Sequence, residues 1–235
     1  SSDFEDNFEK ECEQKNENEL ESEEESDPPI VKINHFEAKS SVTYAISRKL
    51  KSSIRGKRYY YYFYSNSTLK YCAKAKTRHP DSNILIYEGK DAHIKGKSQF
   101  ILNINQESTN FSLKKSDESD EEIMNLKVFL DSALLMLPRH VDVQILPSAG
   151  ISQMSLPTKK PKLSARGNWI LDFHDKFTIP SEKNMIFVSS KDNDGTELLF
   201  IRKISPEGME IDLCTNIPEI CVFSIGLSIF LAKLS

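Results

Sequence analysis

Residues 220–231 (ICVFSIGLSIFL) carry no charge, and only Ser224, Gly226 and Ser228 interrupt an otherwise apolar run. Such a segment is apolar on every face, so the fold must enclose it. It is shorter than the roughly 20 residues a helix needs to cross a bilayer. Pro218 and Glu219 suit a helix start, and Lys233 suits its negative end. A helix over 218–234 would be about 25 Å long, close to the height of a barrel built from strands of roughly seven or eight residues. Ile, Val and Phe also favour strands, and the pattern alone leaves helix and buried strand both open.

Upstream, the chain reads as short strands separated by turn residues. Residues 42–46 (VTYAI) form a strand, followed by a basic loop over 48–58 and an aromatic strand over 59–64 (YYYYFY). Ser65, Asn66 and Ser67 supply a turn into a hairpin partner over 69–76. Further strands are expected over 84–87, 100–104, 111–113, 126–130 and 141–146, with a charged loop at 115–122 (KSDESDEE). Residues 169–173 (WILDF), 185–188, 198–201 and 209–213 complete the series, with turns at 192–195 and 206–208. Many short strands with tight turns argue for an antiparallel barrel or sandwich.

The net charge of −4 hides two unlike parts. Residues 1–28 hold 13 Asp or Glu against 2 Lys, a local −11, and the rest of the chain is +7. The acidic stretch cannot bury enough apolar surface to offset its ordering entropy, so 1–28 is expected to be a disordered tail and 29–235 one folded domain. A basic body points to an anionic partner: a membrane surface, a nucleic acid or an acidic protein. The tail is also a candidate screen for that basic surface. Cys12, Cys72, Cys214 and Cys221 form no C-x-x-C pair and have no His at zinc spacing, which suits free thiols in a reducing compartment. No secretory signal pattern opens the sequence.

Several landmarks then fall in one order. Asn168-Trp169-Ile170-Leu171-Asp172-Phe173-His174 resembles the tubby family's aromatic-Val-Leu-Asp/Asn-Phe-His strand. Ser181-Glu182-Lys183-Asn184-Met185 is similar to its Ser-Val-Lys-Asn-Phe. Pro138-Arg139 with Ile145-Leu146-Pro147 resembles Pro-Arg-Lys-Met…Ile-Ile-Pro, and Lys159-Lys160-Pro161 fits the loop that follows. Pro218, Cys221, Phe223, Leu227, Ser228, Phe230, Lys233 and Leu234 resemble the closing helix. The match is good over about 138–234 and thin over 40–137. It departs at Asp175-Lys176, where the family has Gly-Arg, and at Leu231, where it has Asp. The resemblance implies a mainly β fold: a closed antiparallel barrel of about twelve strands with the hydrophobic C-terminal helix buried through its centre.

The family binds phosphatidylinositol bisphosphate through a basic strand early in the domain. The corresponding stretch is 72–78, where Lys74, Lys76 and Arg78 alternate and project from one face of a strand. The resemblance adds Lys95 and Lys97 from a loop. Arg clamps phosphate with two hydrogen bonds, and Lys acts as a point charge. Alternating Lys with small residues is also how an edge strand avoids aggregation.

The expected function is a non-enzymatic phosphoinositide-binding module, monomeric, without metal or cofactor, peripheral to the plasma or ciliary membrane. The family also carries membrane receptors and contacts transport machinery. No G-x-S-x-G, H-E-x-x-H or glycine-rich phosphate loop is present. His174 lies in the strongest motif, where a structural place near the barrel wall is expected. The rival reading is a nuclear, nucleic-acid-binding regulator, because Arg48, Lys49, Lys51, Arg55, Lys57 and Arg58 lie beside the aromatic run. Strand alternation instead puts half of those tyrosines on the core and half on a hydrated surface. A pure protein adaptor is the third possibility.

Overall fold

Residues 220–231 form most of a helix, α1 (Glu219–Leu231), and every residue from Ile220 to Leu231 is buried. Pro218 sits at its N-cap and Glu219 lies in its first turn, as the charge pattern requires. At 1.5 Å per residue the helix is about 20 Å long.

The computed structural model describes residues 41–54, 56–77, 81–89, 98–117, 119–129, 139–189 and 195–232. The expected acidic tail, Arg78, Lys95, Lys97, Pro138, most of the 192–195 turn, Lys233 and Leu234 lie outside the described residues.

Around α1 runs one twelve-stranded antiparallel sheet. Its members in chain order are β1 (Val42–Ser53), β2 (Gly56–Ser65), β3 (Thr68–Lys76), β4 (Asn83–Glu88), β5 (Phe100–Ile104), β6 (Asn110–Lys115), β7 (Glu122–Phe129), β8 (His140–Ile145) and β9 (Met154–Pro157). After a short ribbon, β10 (Lys162–Leu163) and β11 (Trp169–Ile170), the sheet resumes with β12 (Met185–Val188), β13 (Glu197–Lys203) and β14 (Gly208–Leu213). Neighbours in sequence pair from β1 to β9 and from β12 to β14, and β14 pairs with β1. The two ends meet where Thr158 bridges Phe187 and the Lys159 N–H donates to the Ile186 carbonyl at 2.7 Å. The result is a nearly closed barrel, which removes most of the edge a sheet would otherwise expose.

Period-two burial builds the interior. Ile46, Phe63, Ala73, Ile84, Leu102, Leu113, Met124, Val143, Ile201 and Ile211 all belong to one buried apolar cluster with the helix. Phe223 packs on Phe63 at 5.3 Å and Tyr71 at 6.1 Å between ring centroids, and Phe230 on Tyr61 at 5.7 Å. At Gly226 the helix lies close against the wall. A Cβ there would overlap Ile46 Cδ1 and lie 2.8 Å from Ile211 Cδ1.

Two expectations are corrected. The basic segment 48–58 is not a loop: β1 and β2 form one long hairpin paired from Tyr44↔Ser65 to Ser53↔Gly56. Alternation explains it, since Arg48 and Leu50 continue the inward side while Lys49 and Lys51 continue the outward side. The 169–173 strand shrinks to Trp169–Ile170, paired only with Leu163 and Lys162. Its residues are strand-prone, but Trp169 and Ile170 are both exposed and find no barrel neighbour to pair with.

Beyond β11 the chain lies along the outside of β13 and β14. There Arg202 donates to Asp212 at 3.0 Å, to Glu210 at 2.7 Å and to the Phe177 carbonyl at 2.7 Å. Lys176 reaches Asp212 at 3.1 Å, and the Thr43 hydroxyl donates to it at 2.7 Å. Arg202, Glu210 and Asp212 are buried, so this wall is held by an ionic network in which Glu210 Oε1 alone of the four carboxylate oxygens is buried without a hydrogen bond. His174 stands against the same wall, 2.8 Å from Glu197 and edge-on to Phe200.

Candidate basic face

Ala73 and Ala75 point into the core cluster, which turns Cys72, Lys74 and Lys76 outward from β3. The strand register then decides what stands beside them. Lys49 faces Tyr60 and Tyr60 faces Lys74 across β1, β2 and β3. One step along, Lys51 faces Arg58 and Arg58 faces Lys76. Residues directly opposite in a sheet share a face, so five cations occupy two adjacent rows on the outside of three strands. Rows lie about 6.6 Å apart along the strands, and neighbours within a row about 4.8 Å apart.

The rows are partly shielded. Lys51 Nζ lies 4.9 Å from the Tyr60 ring centre, a cation–π contact. Lys76 Nζ meets Asp81 at 2.7 Å, with both side chains about half exposed. Burial lowers the Lys74 pKa, the Arg58 charge lowers it further, and Asp81 pulls it back up. An anion arriving here would relieve that crowding.

Of the five expected site residues, the structure brings Lys74 and Lys76 together on one face, and Arg78, Lys95 and Lys97 lie outside the described residues. It adds Lys49, Lys51 and Arg58, which sequence reading assigned to a loop and to a different ligand. The alternation of Lys49 with Lys51 in β1, and of Arg58 with Tyr60 in β2, was the available signal. The edge-strand explanation of Lys74 and Lys76 holds only for half of β3. The strand sits between β2 and β4, but its pairing with β4 covers Tyr71, Cys72 and Ala73, leaving the lysine end paired to β2 alone.

The outward tyrosines also differ from expectation. Tyr62 and Tyr64 are not hydrated; both are buried in an outer cluster with Ala45, Cys72 and Tyr87. Burial pushes each of their pKa values up to about 12. Only Tyr60 borders the cations.

The hairpin tip adds an apolar element. Past Ser47 the β1 strand has no partner in β14 and continues with β2 alone. It ends at Ser53, and the next residue, Ile54, is 83% exposed at the hairpin turn. Among the described residues, Cys72, Cys214 and Cys221 are free thiols and no His/Cys/Asp/Glu group is arranged to hold a metal ion. No described helix is long and apolar enough to cross a membrane.

Comparison with protein-family models gives no match for this chain, and neither does comparison with curated proteins.

Proposed function

We propose that this chain is a tubby-type module that docks reversibly on membranes carrying phosphoinositides, through the outer face of β1, β2 and β3. The observation that carries the reading is the double row Lys49–Tyr60–Lys74 and Lys51–Arg58–Lys76. Closely spaced cations on a fixed sheet suit two phosphates on one inositol ring better than a flexible basic loop would, because little side-chain order is lost on binding. Ile54 at the hairpin tip favours a membrane over a free anion, since an apolar tip beside cations can enter the headgroup layer.

Asp175 supports the family reading. It has φ +60°, a backbone region that favours glycine, at the position where the tubby motif has Gly. Lys176 stands in for the motif's Arg and keeps a cation on Asp212.

Five cations at about 1 kcal/mol each supply roughly 5 kcal/mol, so binding is reversible and weakens with salt. Stacking of nucleobases is disfavoured, because Tyr62 and Tyr64 are buried and only Tyr60 is available. The test is flotation of the full chain with vesicles containing phosphatidylinositol bisphosphate or phosphatidylserine at matched surface charge. Preferential flotation with the bisphosphate lipid is expected. Equal binding to both vesicles, or tighter binding to duplex DNA than to soluble inositol phosphates, would overturn it.

A further inference from the structure

The opposite stretch of the barrel's outer face has different chemistry. Asn103 faces Ser112, Ser112 faces Asn125, and Asn125 faces Gln144 across β5, β6, β7 and β8. Their neighbours Leu102, Leu113, Leu126 and Val143 fill the core, so this amide and hydroxyl row looks outward. It runs about 14 Å across the sheet. Asn is depleted from strands, and this row places two of them and a Gln side by side on one outer face. A neutral row in mid-strand therefore needs another explanation.

The row floors a cavity of about 560 Å³, within the range of small-molecule sites, about 300–1,000 Å³. Lys127 and Asp142 stand opposite each other in the next row, so the lining has no net charge. Asp142 Oδ1 is shut off from solvent without a well-formed hydrogen bond, although His140 Nε2 is 3.1 Å away. Phe129, 37% exposed, closes one side. The loop on another side is fixed by Asn105, whose Oδ1 accepts from the Thr109 and Asn110 N–H groups at 2.8 and 2.9 Å.

We propose that this cavity binds a neutral oligosaccharide. Sugar hydroxyls donate and accept at once, as side-chain amides do, and Asp142, whose side chain is 22% exposed, offers its other carboxylate oxygen as an acceptor for a hydroxyl proton. Phe129, 37% exposed although Lys127 Nζ lies 4.8 Å and the His140 ring 5.3 Å from its ring centre, offers its remaining apolar surface to a sugar ring. An anionic ligand is disfavoured by Asp142, and an apolar one by the side-chain amides it would strip of water.

A printed array of neutral and acidic oligosaccharides, probed with the full chain, tests this. Retention on neutral glycans is expected, weakened at least tenfold in Asn125→Ala and in Gln144→Leu. Gln144 is exposed, so the second variant should melt as the parent does and keeps the test valid if the first misfolds. Lys74→Ala with Lys76→Ala should leave glycan retention unchanged, which separates this site from the membrane-docking face. No retention, retention insensitive to Asn125 and Gln144, or retention of acidic glycans alone through the lysines would overturn the proposal.

Discussion

Arg58 and Lys76 stand directly opposite each other across β2 and β3, on the outside of the barrel, and Lys51 faces Arg58 from the other side. Like charges opposite one another destabilise a sheet. Three in a row, with Asp81 reaching only Lys76, is an arrangement that stability alone would not select. Arg58→Thr should therefore stabilise the fold by about 0.2–1 kcal/mol while weakening vesicle binding. Denaturant melts beside flotation check this; a variant less stable than the parent would contradict it.

Helix and wall approach closely at Gly226, between Ile46 and Ile211. Gly226→Leu forces both isoleucines aside and should cost about 1–3 kcal/mol or more. Phe223→Ala, which empties the space among Phe63 and Tyr71, should cost about 3–5 kcal/mol. Thermal melts that leave both variants at the parental midpoint would mean the helix is not enclosed.

The network over β13 and β14 makes a different kind of prediction. Arg202 bonds Asp212, Glu210 and the Phe177 carbonyl. Arg202→Met leaves two buried carboxylates without this partner, a loss of about 3–5 kcal/mol. Proteolysis should then begin within 171–183, the segment this side chain anchors. Cleavage first elsewhere would argue against the anchoring role.

At the helix C-terminus the rim supplies the cations that the last turn lacks. Lys183 donates to the Ile229 and Phe230 carbonyls at 3.0 and 3.4 Å, and Arg139 to the Ala232 carbonyl at 3.4 Å. Burial first, then the Arg139 charge beside Lys183 and the Arg48 charge beside Lys203, lowers both pKa values from 10.5 to about 8, with Glu182 and Glu207 opposing. Between pH 8 and 10.5 the unfolded chain therefore holds protons the folded chain has released, so stability rises with pH. Burial raises Cys221 from 9.0 to about 12 and Tyr62, Tyr64 and Tyr71 from 10.0 to about 12, and these groups reverse the sign. Stability should peak between about pH 9 and 10. Urea midpoints from pH 7 to 11 measure it, and Lys203→Met should flatten the rising limb; a monotonic fall from pH 7 would contradict the assignment.

Much of the barrel was legible because alternation and turn chemistry are local. Asn66 and Ser67, both at positive φ, close the β2–β3 hairpin where the Ser-Asn-Ser cluster stood, and β5 has the bounds its apolar run suggested. The helix was legible as something that must be enclosed, but choosing helix over strand needed the family resemblance. What failed were features set by distant partners. Trp169 reads as strand and finds only a two-residue ribbon. Lys49, Lys51 and Arg58 read as a loop because their charges masked a continuing hairpin. Their union with Lys74 and Lys76 depends on a pairing register that no single segment contains.

Removing two cations from the docking face, compared with removing two from elsewhere, isolates position from net charge. Arg58→Ala with Lys74→Ala and the exposed pair Lys162→Ala with Arg166→Ala change the charge equally. On vesicles containing phosphatidylinositol bisphosphate, the first double variant should lose about 30-fold in affinity, at about 1 kcal/mol per cation, and the second little. Equal affinity for the two would contradict docking through the outer face of β1, β2 and β3.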